Sequence, residues 1–193
     1  MTGGDKLDAY LKTIASNLAA TKGNPSVSIG FLEDAFYPDG QSVAYIAAIQ
    51  EFGATIQREP QEAATIYRKI DKNGNFLRDG KFVKKRESNF ASSHYVGAYT
   101  ITIPPRPFFR NMIKANAPTW GDAIAKLLKS TDYKAGVVLG RMGALIKGQL
   151  QQSINDLTSP ANAKSTIAKK GASKPLIDTG YMWNSVDYRV DNV

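Results

Sequence analysis

Ile103-Pro104-Pro105-Arg106-Pro107-Phe108-Phe109-Arg110, read IPPRPFFR, decides how the rest of the chain is understood. Pro104, Pro105 and Pro107 each fix φ, lack a backbone donor and restrict the residue before them. They exclude a helix interior or a central strand and predict an extended, stiff corner. Upstream, Tyr99 to Ile103 alternates cleanly and predicts a strand that runs into the corner. Downstream, Phe108 to Ala115 predicts a short helix. Pro118 predicts the start of another, with Trp120, Ile124, Leu127 and Leu128 on its apolar face. At the corner itself, Phe108 is expected to pack against an earlier helix ending at Phe52. Arg106 is expected to bond to carbonyls or to a carboxylate, Glu51 being the first candidate.

That earlier helix is predicted from about Ser42 to Phe52, with Ser42 as its N-cap and Gly53 as its stop. Before it, Leu7, Tyr10, Leu11, Ile14 and Leu18 fall at the spacing of an amphipathic helix, which Gly23-Asn24-Pro25 ends. Ser26 to Leu32 then alternates around Val27, Ile29 and Phe31 as a half-buried strand.

Thr55 to Tyr99 has a different character. From Arg58 to Arg86 it carries nine basic and four acidic residues. Thr65 to Ile70 precedes Asn73-Gly74, a strong tight-turn signal, and Asn75 to Leu77 follows it. A second turn at Asp79-Gly80 leads to Lys81-Phe82-Val83. Too few apolar residues are present for a separate core. The segment is therefore expected to be a β-hairpin arm, of on the order of 20–30 Å at strand spacing, inserted into one domain spanning residues 1–193. Ser88 to Gly97 reads as a polar loop. It includes His94, the single histidine, expected at the surface because no partner for a catalytic or ligand role is in sight.

Toward the end of the chain a long helix is predicted from Tyr133 to Leu157, with Leu139, Met142, Ile146, Leu150 and Ser153 on one side. Gly136, Gly140, Gly143 and Gly148 within it predict close approach of another backbone, since each costs about 1 kcal/mol against alanine. Thr158 to Lys174 holds four lysines and no acid, and reads as a mobile connector. Asp178-Thr179-Gly180 predicts a turn, with Asp178 a candidate cap for a short helix at Tyr181 to Asn184. Ser185 to Val190 predicts a closing strand. The fold class that follows is α+β: a small, mostly antiparallel sheet packed with helices, plus the projecting hairpin arm.

The composition narrows the function classes. Without cysteine there is no disulfide framework, thiolate nucleophile or zinc–cysteine site. No unbroken apolar stretch approaches the roughly 20 residues of a membrane span, and the start lacks the apolar centre of a signal peptide. A soluble protein made in the cytoplasm, with no membrane partner, is expected. No phosphate loop or zinc-protease motif occurs. Asp71 to Asn75 lacks the distal ligands of a calcium loop, and Asp178-Thr179-Gly180 lacks the second carboxylate that an aspartic protease needs. No enzymatic activity, metal or cofactor is expected. The formal charge of +8 allows contact with nucleic acid or an acidic protein surface. Arg68, Lys69, Phe76, Arg78, Phe82, Lys84 and Lys85 in the arm, with Lys164, Lys169, Lys170 and Lys174 in the connector, are the candidate partner-contact residues. Ordinary solvated faces are the alternative. Protein contact is favoured over DNA, because the lysine connector offers no aromatic ring for base stacking.

Three ordered segments carry a resemblance. Ala47 with Glu51-Phe52-Gly53, then Ile103 to Phe108, then Pro175-Leu176-Ile177-Asp178-Thr179-Gly180 with Ser185 resemble the virion-morphogenesis and tail-completion (neck) proteins of tailed bacteriophages. In that family an A-x-x-x-E-F-G helix end, an I-P-x-R-P-F corner and a P-L-x-D-T-G-x-x-x-x-S segment recur. The likeness runs from about residue 25 to the end. The long insertion at Thr55–Tyr99 is a departure from it. The resemblance implies a structural protein forming a homo-oligomeric ring between connector and tail tube. Its partners would be further copies of itself and the neighbouring connector and tail proteins, with non-specific contact to DNA in the channel. It would reside in the neck or tail of the virion, and in the host cytoplasm during assembly. Glu51, Phe52, Gly53, Pro104, Pro105, Arg106, Pro107, Phe108, Asp178, Thr179 and Gly180 would form its structural corner. A tail-terminator protein is the alternative within the same class, and a basic DNA-binding accessory protein the alternative from another.

Overall fold

The computed structural model describes residues 3–20 and 23–192, leaving aside the side chains of residues 3–5, 7, 18, 62, 63 and 169. The fold is α+β, with small antiparallel sheets packed with helices. The chain divides into two compact units: the residues up to Ala54 together with those from Ile103 onward, and Thr55–Thr102.

In the first unit, β1 (Ser26–Phe31) and β6 (Val186–Asp191) pair antiparallel, Ser26 opposite Asp191 and Phe31 opposite Val186. Both strands lie against α4 (Ala135–Asp156), and α3 (Phe108–Ser130) packs on α4 as well. The core is built from one row of α4, Val138, Met142, Ile146, Leu150 and Ile154, four residues apart, which meets Phe108, Met112 and Val186. Burying each large side chain contributes about 1.5–3 kcal/mol. The row includes Ile154, not Ser153. The Ser153 hydroxyl instead donates to the Phe108 carbonyl at 2.6 Å.

Several expectations need correction. Phe108 to Ser130 is one helix, not two, and Pro118 lies inside it. Tertiary packing overrides the proline, which costs about 3 kcal/mol in an isolated helix. Trp120 packs on the core and its indole N–H donates to Gln149 Oε1 of α4 at 2.9 Å. In α4, Gly143 is crowded: an added Cβ would run into the Tyr188 ring of β6, while one at Gly140 or Gly148 would meet no atom within 4 Å. The close approach is therefore that of a ring, not a backbone. The lysine connector holds a short helix, α5 (Lys164–Lys170), closed by Gly171 in the left-handed region at φ 75°. Asp178 does not cap α6 (Tyr181–Asn184); the Thr179 hydroxyl accepts the Tyr181 N–H at 3.3 Å.

At the start, α1 (Gly3–Ala19) forms as the apolar spacing predicts. Its stripe is not covered: Tyr10 and Leu11 are 44% and 52% exposed. The side chains of Leu7 and Leu18 lie outside the described residues.

The second unit departs most from expectation. Its main pairing joins β3 (Gln61–Arg68) to β4 (Phe90–Val96), the segment read as a polar loop, with Arg68 opposite Phe90 and His94 opposite Ala64. The Asn73-Gly74 turn forms, but it closes a single bridge between Ile70 and Phe76. Asp71 Oδ1 holds it by accepting the N–H groups of Asn73 and Asn75 at 2.8 Å each. Those bonds keep the Asp71 carboxyl below its ordinary range. The Asn89 side chain then clamps Ile70 through both its N–H and its carbonyl, each at 2.8 Å. A further two-stranded pairing joins β2 (Ala54–Arg58) to β5 (Tyr99–Ile103).

Candidate functional site

The helix α2 (Val43–Phe52) begins at Ser42, whose hydroxyl accepts the Tyr45 N–H, and stops at Gly53, with φ 77°. A side chain at residue 53 would also strike the Ile103 carbonyl at 2.7 Å and Pro105 at 3.0 Å. Only glycine satisfies both demands, so the E-F-G and I-P-P segments lie against each other.

Glu51, on the last turn of α2, is 4% exposed. Its carboxylate accepts the backbone N–H groups of Phe109 (2.9 Å) and Arg110 (3.2 Å), the first turn of α3. The residue preceding that helix is Pro107, which provides no side-chain cap. A carboxylate from another helix therefore fills the N-terminal role, where orphan donors and the helix dipole both favour negative charge. Arg110 completes the arrangement. Its Nε donates to Glu51 Oε1 at 2.7 Å, its Nη2 donates to the Glu51 carbonyl at 3.0 Å, and its guanidinium lies 5.1 Å from the Phe52 ring centre.

Arg106 does not meet Glu51. It is 6% exposed and donates to Gln50 Oε1 (2.6 Å), the Pro160 carbonyl (3.0 Å), the Ala161 carbonyl and Asn162 Oδ1 (3.3 Å each). Burial holds its pKa below the ordinary arginine value. The Asn162 amide in turn donates to the carbonyls of Ser173 and Lys174, beside Pro175 and the buried Leu176. One hydrogen-bonded chain thus runs from the end of α2 through the proline corner to Ser173 and Lys174, just before the third segment, whose Asp178, Thr179 and Gly180 do not join the corner. Phe108 is 1% exposed and meets Phe31 edge-to-face at 6.3 Å. Phe52 itself points outward, 67% exposed. Asp178 is exposed, and Gly180 takes a left-handed φ of 78° ahead of α6.

The candidate contact residues separate into two kinds. Lys170 and Lys174 serve the fold: Lys170 Nζ donates to the Lys174 carbonyl at 2.6 Å, and Lys174 Nζ donates to Asn155 Oδ1 at 2.6 Å. Desolvation and, less strongly, the charge of Arg106 lower the Lys170 pKa, with Asp178 opposing. Arg68 is likewise internal to its unit, its guanidinium 5.0 Å from the Phe76 ring centre and 5.2 Å from that of Phe82, with Nε buried. Phe76 also meets Phe90 at 5.7 Å, a small aromatic cluster that the sparse apolar count of the segment did not suggest. Lys69 is half-buried. Arg78, Lys84, Lys85 and Lys164 are exposed, and the Arg78–Glu87 pair at 4.0 Å, both side chains well exposed, contributes little. The Lys169 side chain lies outside the described residues.

Sequence reasoning missed Arg110, Gln50 and Asn162. Arg110 had a usable signal, lying within the first turn of a helix whose preceding proline cannot cap it. Carbonyl acceptors for Arg106 were expected, but not that they would be those of Pro160 and Ala161, because backbone groups carry no sequence identity. Among the described residues, no cluster of three or more histidine, cysteine or acidic side chains could hold a metal, and no helix is long and apolar enough to cross a membrane. No protein-family model, curated protein or solved structure matches the chain.

Proposed function

We propose that this chain is a structural protein of the tailed-phage neck, forming a homo-oligomeric ring that completes the tail and joins it to the head. The observation that carries the reading is the meeting of two motif segments, separated by dozens of residues, at one buried knot that is tied to the residues just before the third. Glu51 caps the helix that follows the corner, Gly53 makes room for Pro105, and Arg106 reaches through Asn162 to the residues before Pro175. A resemblance resting on three short motifs gains weight when those residues depend on one another physically. Rigid corners of this kind suit subunits that repeat one interface around an axis.

The test is the assembly state of the purified protein. A particle far above the 21.0 kDa of one chain, ring-shaped in negative-stain images, is expected. A monomer at tens of micromolar would sink the reading. Imaging tails made without heads separates neck from tail terminator: a terminator occupies the tube end before joining. The exposed basic residues Arg78, Lys84 and Lys85 favour one further reading, a DNA-binding accessory protein. Duplex affinity is expected to be weak and non-specific, about 10⁻⁴–10⁻⁶ M at physiological salt; nanomolar, sequence-specific binding would favour that alternative.

A further inference from the structure

Two uncovered apolar surfaces lie at different places on the first unit. One belongs to α2. Its sequence, VAYIAAIQEF, contains a single charge, Glu51, and that charge is turned inward. A helix apolar on every side is ordinarily buried all round. Here Tyr45 and Phe52 are 66% and 67% exposed. Phe52 lines an open groove of about 200 Å³ together with Phe31, Ala44, Ala47, Ala48, Phe108 and Phe109, and with the Glu51–Arg110 pair. Alanines at 44, 47 and 48 share one helix face, so another helix can approach the groove floor closely. The other surface is the α1 stripe, where Tyr10 and Leu11 stand exposed and Ile14 is half-buried.

These surfaces cannot meet within one chain. The Asn17 amide donates to the Asp132 carbonyl at 2.7 Å, just beyond the end of α3, whereas the groove lies at its start. A helix of 23 residues at about 1.5 Å per residue puts the two ends roughly 35 Å apart. Leu11 is six residues from Asn17, only about 9 Å along α1. Its stripe therefore falls well short of its own groove. Charge is compatible with the fit: Asp8 shares the Leu11 face of α1, and Arg110, already paired with Glu51 through Nε but with its side chain 57% exposed, stands at the groove.

We propose that α1 of one copy seats its Tyr10–Leu11–Ile14 stripe in the α2–α3 groove of the next. The contact is heterologous, because different surfaces of identical chains meet, and a heterologous contact that closes generates a ring. This rests on the ring reading and names the interface that would build it. It also makes the corner functional: Glu51 and Arg110 set the angle between α2 and α3, and thus the shape of the groove.

The chain has no cysteine, so cross-linking can be directed. Leu11→Cys chains mixed with Ala48→Cys chains and oxidised should give a covalent dimer that neither gives alone. The doubly substituted chain should give a ladder ending at the size of the ring. A second measurement does not depend on disulfide geometry. Leu11→Glu or Ala48→Glu should each raise the concentration needed for assembly at least about 100-fold, because each places a charge in a dry contact. Mixing the two should restore dimers but no ring, since one intact interface remains per pair. If the wild-type ring forms and both glutamate variants assemble unchanged, the interface is elsewhere and this inference falls while the ring reading stands. A double-cysteine chain that closes only on itself overturns it as well. A wild-type chain that stays monomeric overturns both.

Discussion

Replacing Glu51 with glutamine keeps the side chain's shape but removes the charge that serves the first turn of α3 and the Arg110 guanidinium. Chemical unfolding of Glu51→Gln should show a loss of about 1–2 kcal/mol, the range of a lost helix cap with one charge-assisted bond. Arg110→Ala should cost less, because its side chain is half in solvent and its loss leaves both backbone N–H bonds to Glu51 in place. If Arg110→Ala proves the costlier change, the ion pair and not the cap holds the corner. Gly53→Ala should cost more than the ordinary penalty of about 1 kcal/mol for a left-handed alanine, since its methyl also collides with the Ile103 carbonyl. Equal stability of the two would mean that the α2–corner contact relaxes freely. At this scale the motif residues were legible as a group, but not their pairings. Of the two kinds of partner expected for Arg106, the structure supplies the carbonyls and not the Glu51 carboxylate, which goes to backbone donors and to Arg110. Opposite charges in a sequence say nothing of the main-chain groups that outnumber them.

Elements were legible where side-chain pattern and backbone preference agreed. The α2 cap and stop, β1, β6 and α4 follow the apolar spacing closely. They were obscured where tertiary packing outweighed a local signal. Pro118 marks a helix start in isolation, yet α3 runs through it because residues on both sides of the proline are held against the core. The Asn73-Gly74 turn is real, but its flanking strands are a bridge long; the true partner of β3, Phe90 to Val96, hides its alternation behind serines. The glycines of α4 show the same limit, because Gly143 has a neighbour that requires it and Gly140 and Gly148 do not. Gly143→Ala would drive a methyl into the Tyr188 ring, so a loss of about 1–3 kcal/mol is expected from the crowding. In a Tyr188→Ala background the same substitution should become neutral or gain up to about 1 kcal/mol from helix propensity. Additive losses in the double mutant would show that the ring is not the obstacle.

For the whole molecule, the division into two compact units has a thermodynamic consequence. The continuous apolar core lies in the first unit, where Leu150, Ile154, Val43 and Val186 are completely buried. Among the described residues, the second unit holds no fully buried side chain. Its cohesion rests on the β3–β4 ladder, the Asn89 clamp and aromatic contacts around Arg68, in which each single bond or contact contributes about 0.5–1.5 kcal/mol. Replacing residues 59–98 by a short glycine-rich turn would keep β2 and β5, whose ends must meet at Ala54 and Ile103 for Gly53 to sit against the corner. The shortened chain should unfold in one cooperative calorimetric transition, with a midpoint within a few degrees of that of the parent chain's first unit. Cutting only Ile66 to Val83 should do worse, because it shortens β3 by three residues and leaves Phe90, Ala91 and Ser92 of β4 as an unpaired edge prone to aggregation. A shortened 59–98 variant that fails to fold would mean that the first unit draws stability from the second, and that the two are one cooperative body despite the separateness of their contacts.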